Sequence, residues 1–183
     1  MYIWIAAAVL LGAVLFLFLK GGAVVTLSAS MDKASYSSGD TMNLAVSLAN
    51  AGNRETCVSD TALGNIKFLS FTKDGKTVET RTAPSYYLTS LSEMMKAKLK
   101  KLAPGENTTM VLSSSQDPGL GANAFYATAV EGTYGMSTFY NVGAPGVYEM
   151  KVVYEYPGKS SPDCPNVFKG SIKPATITFT VTK

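Results

Sequence analysis

Two cysteines, thirteen carboxylates, sixteen basic side chains and eight methionines are the groups of this 183-residue chain with chemical potential, and no histidine accompanies them. Without imidazole there is no His-ligated zinc, no blue-copper centre, no Ser-His-Asp triad and no Cys-His pair. The carboxylates Asp32, Asp40, Asp60, Asp74, Glu131, Glu149 and Glu155 show neither DxD nor ExxH spacing. Lone serines have no base beside them, and no Gly-rich phosphate loop follows a strand pattern. Met94-Met95 is the one methionine cluster. A helix contact in a core explains it better than a thioether copper(I) site. The chain therefore reads as non-enzymatic, with no catalytic, cofactor-binding or metal-binding residue expected.

Cys57 and Cys164 lie in no CxxC motif, which leaves out a thioredoxin-like motif and a zinc ribbon. In an oxidising compartment the two could pair; in a cytosolic protein they would be two separate buried thiols. Lys96, Lys98, Lys100 and Lys101 form a basic cluster. It reads either as the solvated face of a helix or as a patch for anionic lipid or an acidic partner. Phe125, Tyr126, Tyr134, Phe139 and Tyr140 concentrate aromatic surface in the stretch 114–144. That stretch is either extra strands or a lid packed on the fold, or a partner-binding surface, since Tyr and Phe are favoured at interfaces. Asn107-Thr108-Thr109 is a glycosylation sequon. The net charge of +3 is too small to indicate nucleic acid. Charged residues, at 16%, fall below the ~25% usual for soluble proteins.

These groups must be positioned by the elements around them. Tyr2 to Leu19 is a charge-free apolar run. As a helix it spans about 27 Å, close to the ~30 Å hydrocarbon thickness of a bilayer. It reads as a retained transmembrane anchor in contact with lipid through residues 2–19, followed by a Gly21-Gly22 hinge. Residues 1–22 are thus one unit and 23–183 a second, a single domain. The sequon, the cysteines and the composition place that domain on the extracytoplasmic side, against the weak contrary vote of Lys20.

Strand patterns follow. Residues 23–30 are β-rich. Met42, Leu44, Val46 and Leu48 alternate with small or polar residues, the period of a half-buried strand. Residues 66–72 make another strand, and Lys73-Asp74-Gly75-Lys76 a hairpin turn. Strands are also expected at 107–113, at 147–156 with Tyr148, Met150, Val152, Tyr154 and Tyr156 on one face, and at 172–182 with Ile177, Phe179 and Val181 inward. Between them, Ser90 to Leu102 fits one amphipathic helix opened by a Ser90/Glu93 capping box and stopped by Pro104-Gly105. Ala122 to Val130 fits a short helix.

Three phrases together resemble prokaryotic Ig-like sandwich modules, including the BsuPI-like inhibitor type. They are Tyr36-x-x-Gly39-Asp40 with its alternating strand and Asn50-x-Gly52, then Leu102-Ala103-Pro104-Gly105-Glu106, then Pro145-Gly146-x-Tyr148. The resemblance implies an all-β fold, an antiparallel sandwich of roughly seven strands, with insertions at 85–103 and 114–144 and a tyrosine-corner role for Tyr148. It also implies that the loops holding Cys57 and Cys164 share one end, so that a disulfide is geometrically reasonable and that end faces the membrane. The expected function is a membrane-anchored accessory or scaffolding subunit, whose partners are other subunits of a complex or copies of itself. The alternatives are a subunit of a surface filament or sheath, and a small subunit of a membrane redox enzyme without cofactor ligands of its own.

Overall fold

The structure, a computed structural model, describes residues 23–85, 90–131 and 134–183. The strands of the first half are β1 (Val25–Met31), β2 (Ser35–Ser37), β3 (Asn43–Asn50), β4 (Thr56–Ser59), β5 (Ile66–Lys73), β6 (Lys76–Thr77) and β7 (Thr80–Ser85). One short helix, α1 (Leu91–Ala97), precedes β8 (Leu99–Leu102) and β9 (Asn107–Ser113). The remainder is β10 (Ser115–Asp117), β11 (Ala122–Glu131), β12 (Tyr134–Asn141), β13 (Gly146–Tyr154) and β14 (Ala175–Thr182). The described residues are all-β apart from α1, as expected of the domain. The anchor assigned to residues 2–19 lies outside the described residues. Among those described, no helix is long and apolar enough to cross a membrane.

Two sheets share the core. One has the order β1-β3-β9 and the other β2-β14-β13-β5-β6. The alternating side chains make this arrangement. Met42, Leu44, Val46 and Leu48 are fully buried on the first sheet, and Tyr148, Met150, Val152 and Tyr154 on the second. Their outward neighbours stay partly in water, so a slip of one residue would exchange the two faces. The Asp74-Gly75 turn joins β5 to β6 with φ of 50° and 75°, the left-handed pair expected of a tight hairpin. The fold at this level fits a β-sandwich.

The insertion 114–144 forms extra strands packed on the fold, one of the two readings expected of it, while both helix expectations in the insertions need correction. The short helix expected at 122–130 is strand instead: Ala122–Glu131 is β11, the long centre of a third sheet ordered β10-β11-β12-β7. Phe125 and Tyr140 of that sheet pack on Phe68 and Phe71 of β5, with ring centroids 5.0–6.4 Å apart. The expected helix 90–102 ends at Ala97, and Leu99–Leu102 instead pairs antiparallel with β4. The hydrogen-bonding demand of β4, buried along its whole length, outweighs the helical propensity of the lysine-rich run. Ser90 makes no side-chain cap bond, so the expected capping box is absent.

The turn after β1 is fastened by Asp32. Its carboxylate accepts the Tyr36 hydroxyl, the Asn43 backbone N–H at 3.0 Å and the Asn43 side-chain amide at 3.1 Å. These bonds, that of Tyr36 foremost, lower its pKa to about 2. Burial first, and the same bond second, push Tyr36 up to about 12. The signs differ at the two ends of the pH scale. A depressed carboxylate contributes stability above its unfolded value near 3.8 and loses it as pH falls toward 2. A raised tyrosine contributes below 10 and loses it as pH rises toward 12. Urea midpoints of Tyr36→Phe should therefore show a flatter pH dependence than the parent at both extremes. An unchanged profile would exclude this pair as its source.

Candidate functional site

One end of the molecule gathers most of the residues singled out above. Cys57 and Cys164 form a disulfide with Cα atoms 5.8 Å apart, and both are buried. Cys57 sits in the middle strand of a small ladder. On one side it opposes Lys101 of β8. On the other, its N–H donates to the Asn166 carbonyl at 3.0 Å, and its carbonyl accepts the Phe168 N–H at 2.8 Å. The chain enters the fold at this end: Val25 opposes Asn50, and the Ala51 N–H donates to the Val24 carbonyl at 2.7 Å. The Asn50 side chain donates to the carbonyls of Arg54 at 2.8 Å and Leu102 at 2.9 Å, tying both loops to β3.

The four lysines do not lie on one helical face. Lys96 is on α1 and pairs with Glu93 at 3.7 Å; Lys98 caps the helix; Lys100 and Lys101 are on β8, where neighbours point to opposite sides. Lys98, Lys100 and Lys101 are exposed nonetheless. Exposed Lys169 and Lys173 join Lys100 and Lys101 at this end, Lys169 directly after the segment bonded to Cys57, and Lys173 in a hollow shared with Val25 and Thr26. No local spacing could have revealed the last two, which come from a loop more than sixty residues away. Asn107 is exposed at the start of β9, opposite Ala49.

The five aromatics do not form one surface. Phe125 is fully buried and belongs to the core, because its face of β11 packs on β5. Tyr140, part-buried, stacks on Phe71 at 5.5 Å. Tyr126 and Phe139 oppose each other on the outer face, 5.8 Å apart. Tyr126 is exposed, and Tyr134 is half-buried at the start of β12.

A constellation missed at the level of sequence underlies that outer face. The Arg81 guanidinium lies 4.5 Å over the Phe139 ring and makes a two-pronged pair with Asp117, Nε to Oδ1 at 3.0 Å and Nη2 to Oδ2. Asp117 is 3% exposed and also accepts the Leu120 N–H at 2.8 Å. Arg81 holds its carboxyl below the usual range, against the opposing effect of burial. Replacing Arg81 by Met strands a buried carboxylate, the costlier way to break such a pair. We expect a Tm fall of several degrees and an inverted pH trend. The parent loses the Asp117 contribution as pH falls below the unfolded carboxylate value. Arg81→Met, with an unpaired carboxylate raised by burial, gains stability as pH falls from neutral toward about 4. Thermal melts across that range check both signs.

Beside the third sheet lies an open cleft of about 500 Å³, lined by Asp60, Leu63, Lys98, Val111, Tyr126 and Thr128 among others. Among the described residues no group of three or more Cys, Asp or Glu side chains is placed to hold a metal ion. Compared with known proteins, the chain matches no family model and no curated protein.

Proposed function

We propose that this chain is a non-catalytic accessory subunit, held at a membrane by residues 2–19, whose extracytoplasmic Ig-like domain works by contacting other proteins of a complex. The observation that carries the reading is the position of chain entry. Val24 and Val25 lie at the end that holds the disulfide-tied segments and the lysines at 100, 101, 169 and 173. An apolar run eighteen residues long precedes them. Lipid would thus meet the end that carries the basic side chains, where each adds about 1 kcal/mol against an anionic surface. The third sheet, with exposed Tyr126 across the cleft from Lys98, is left free for partners.

The Ig-like assignment has support of its own. The orders β1-β3-β9 and β14-β13-β5 are those of such a sandwich with a third sheet added. The Tyr148 hydroxyl donates to the Ala144 carbonyl at 2.7 Å, as a tyrosine corner does. The disulfide fits an oxidising compartment.

Extraction of native membranes in mild detergent, followed by crosslinking from Tyr126 and separately from residues 2–19, tests the reading. The expected result is a fixed set of protein partners on Tyr126 and lipid or helical segments on the anchor. Release of the chain by an alkaline salt wash, or a lone monomer in detergent, would refute it.

A further inference from the structure

The cleft beside Tyr126 has one wall of unpaired backbone. The Ser114 N–H donates to the Met42 carbonyl at 2.8 Å, and the Asn50 N–H to the Glu106 carbonyl at 2.9 Å. Both lie in the register that sets Asn43 opposite Ser113 and Ala49 opposite Asn107. In an antiparallel pair, residues that exchange hydrogen bonds recur at every second position. The even-numbered Thr108, Met110 and Leu112 therefore turn their peptide groups toward β3. The odd-numbered Thr109, Val111 and Ser113 turn theirs away from it, and all three line the cleft. Among the described residues no strand pairs with β9 on that side.

An open edge of this kind is normally protected by charge, proline, a bulge or shortness. The other edges conform. β6 is two residues long with Lys76, β10 is three residues ending at Asp117, and β7 carries Arg81 and Pro84. The outer side of β1 lies against β14. β9 has seven residues with no charge, no proline and an unbroken register, and Val111 on it is 61% exposed.

We propose that this edge is a strand-addition site for an extended, uncharged segment of a partner protein. The occupant would run beside Thr109–Ser113, an edge of about 14 Å at the usual rise per residue. It would pair with the peptide groups of Thr109, Val111 and Ser113 and set alternate side chains against Tyr126 and Leu63. The cleft's lining carries one anion, Asp60, and one cation, Lys98, so it offers no net charge to a charged ligand. Walls on both sides of the edge suit a single segment rather than the edge of a folded sheet. This rests on the reading of the domain as a protein-binding module and names how that binding would occur.

The test is residue-resolved amide hydrogen exchange on the full chain in detergent micelles. The probe is a capped seven-residue peptide alternating valine and threonine, at millimolar concentration. Without peptide, Thr109, Val111 and Ser113 should exchange fast and Thr108, Met110 and Leu112 slowly. With peptide, the three odd-numbered amides should slow by about tenfold or more. Val111→Pro, which removes the central donor without touching a β3 bond, should abolish that slowing while leaving Tm within a few degrees. Val111→Lys should weaken it by restoring edge protection. Slow exchange of the odd-numbered amides in dilute protein alone, or no slowing with peptide, would overturn the proposal. So would protection that rises with protein concentration in the absence of peptide, which would assign the edge to a second copy. None of these results bears on whether the Tyr126 crosslinks find partners, so the two readings fail separately.

Discussion

Replacing Cys57 and Cys164 with serine should lower the unfolding free energy by up to about 4–5 kcal/mol and Tm by roughly 10 °C, the largest effect expected of any change outside the core. The bond spans 107 residues, and in the chain-entropy model a loop of that size gains close to the maximum stabilisation. The native state loses more than a cross-link. Residues 166–168 are attached to Cys57 by two backbone bonds and by the Thr56 hydroxyl, which donates to the Asn166 carbonyl at 3.1 Å. Those bonds alone must then hold the loop that carries Lys169. Urea unfolding of the parent with and without reductant, beside the double serine variant, measures the loss. Coincident curves would show that these backbone contacts suffice and that the bond adds nothing.

Phe125→Ala is the second large effect. The ring is fully buried and packs on both Phe68 and Phe71, 6.4 Å from each. Truncating it opens a void in the aromatic junction that Phe125 and Tyr140 make with β5, a cost of about 3–5 kcal/mol. Tyr126→Ala, one position along on the opposite face, should change stability by about 0.5 kcal/mol or less. The adjacent pair thus separates packing from recognition: the first should destabilise, and the second should leave folding intact and remove partner crosslinks. Calorimetry on the two variants checks the contrast, and comparable losses would mean that β11 is buried on both faces.

The alternating strands were legible because period two and one-sided burial reinforce each other. Residues 42–48 and 148–156 needed nothing beyond their pattern of apolar and polar positions. The lysine-rich run was misread for a physical reason. Leu91, Met95, Leu99 and Leu102 suit a helical stripe, but the choice at Leu99 was made by β4, which no local pattern announces. The short helix expected at 122–130 failed for the same want of tertiary context: β12 on one side and β10 on the other decided for strand. The disulfide was one of two readings of the cysteines, and the Ig-like resemblance favoured it by bringing both connections to one end; that Cys57 would sit on a strand, β4, was not foreseen. The Arg81–Asp117 pair was not legible, because 36 residues separate the partners and neither lies in a motif. The open edge of β9 is invisible in principle from sequence: an uncharged strand reads the same whether or not a neighbour covers it.

The ladder around Cys57 also sets a schedule for biosynthesis. β4 takes its neighbours from residues 99–102 and 166–168, so it has neither when it leaves the ribosome. At about 5–20 residues per second, roughly 5–20 s pass before Cys164 emerges. During that interval the Cys57 thiol waits reduced. The chain has two cysteines in all, so no wrong internal bridge can form and no isomerase is needed to undo one. Mispairing then requires a second molecule, such as another nascent copy, and the yield of oxidised protein should fall with expression rate rather than with isomerase supply.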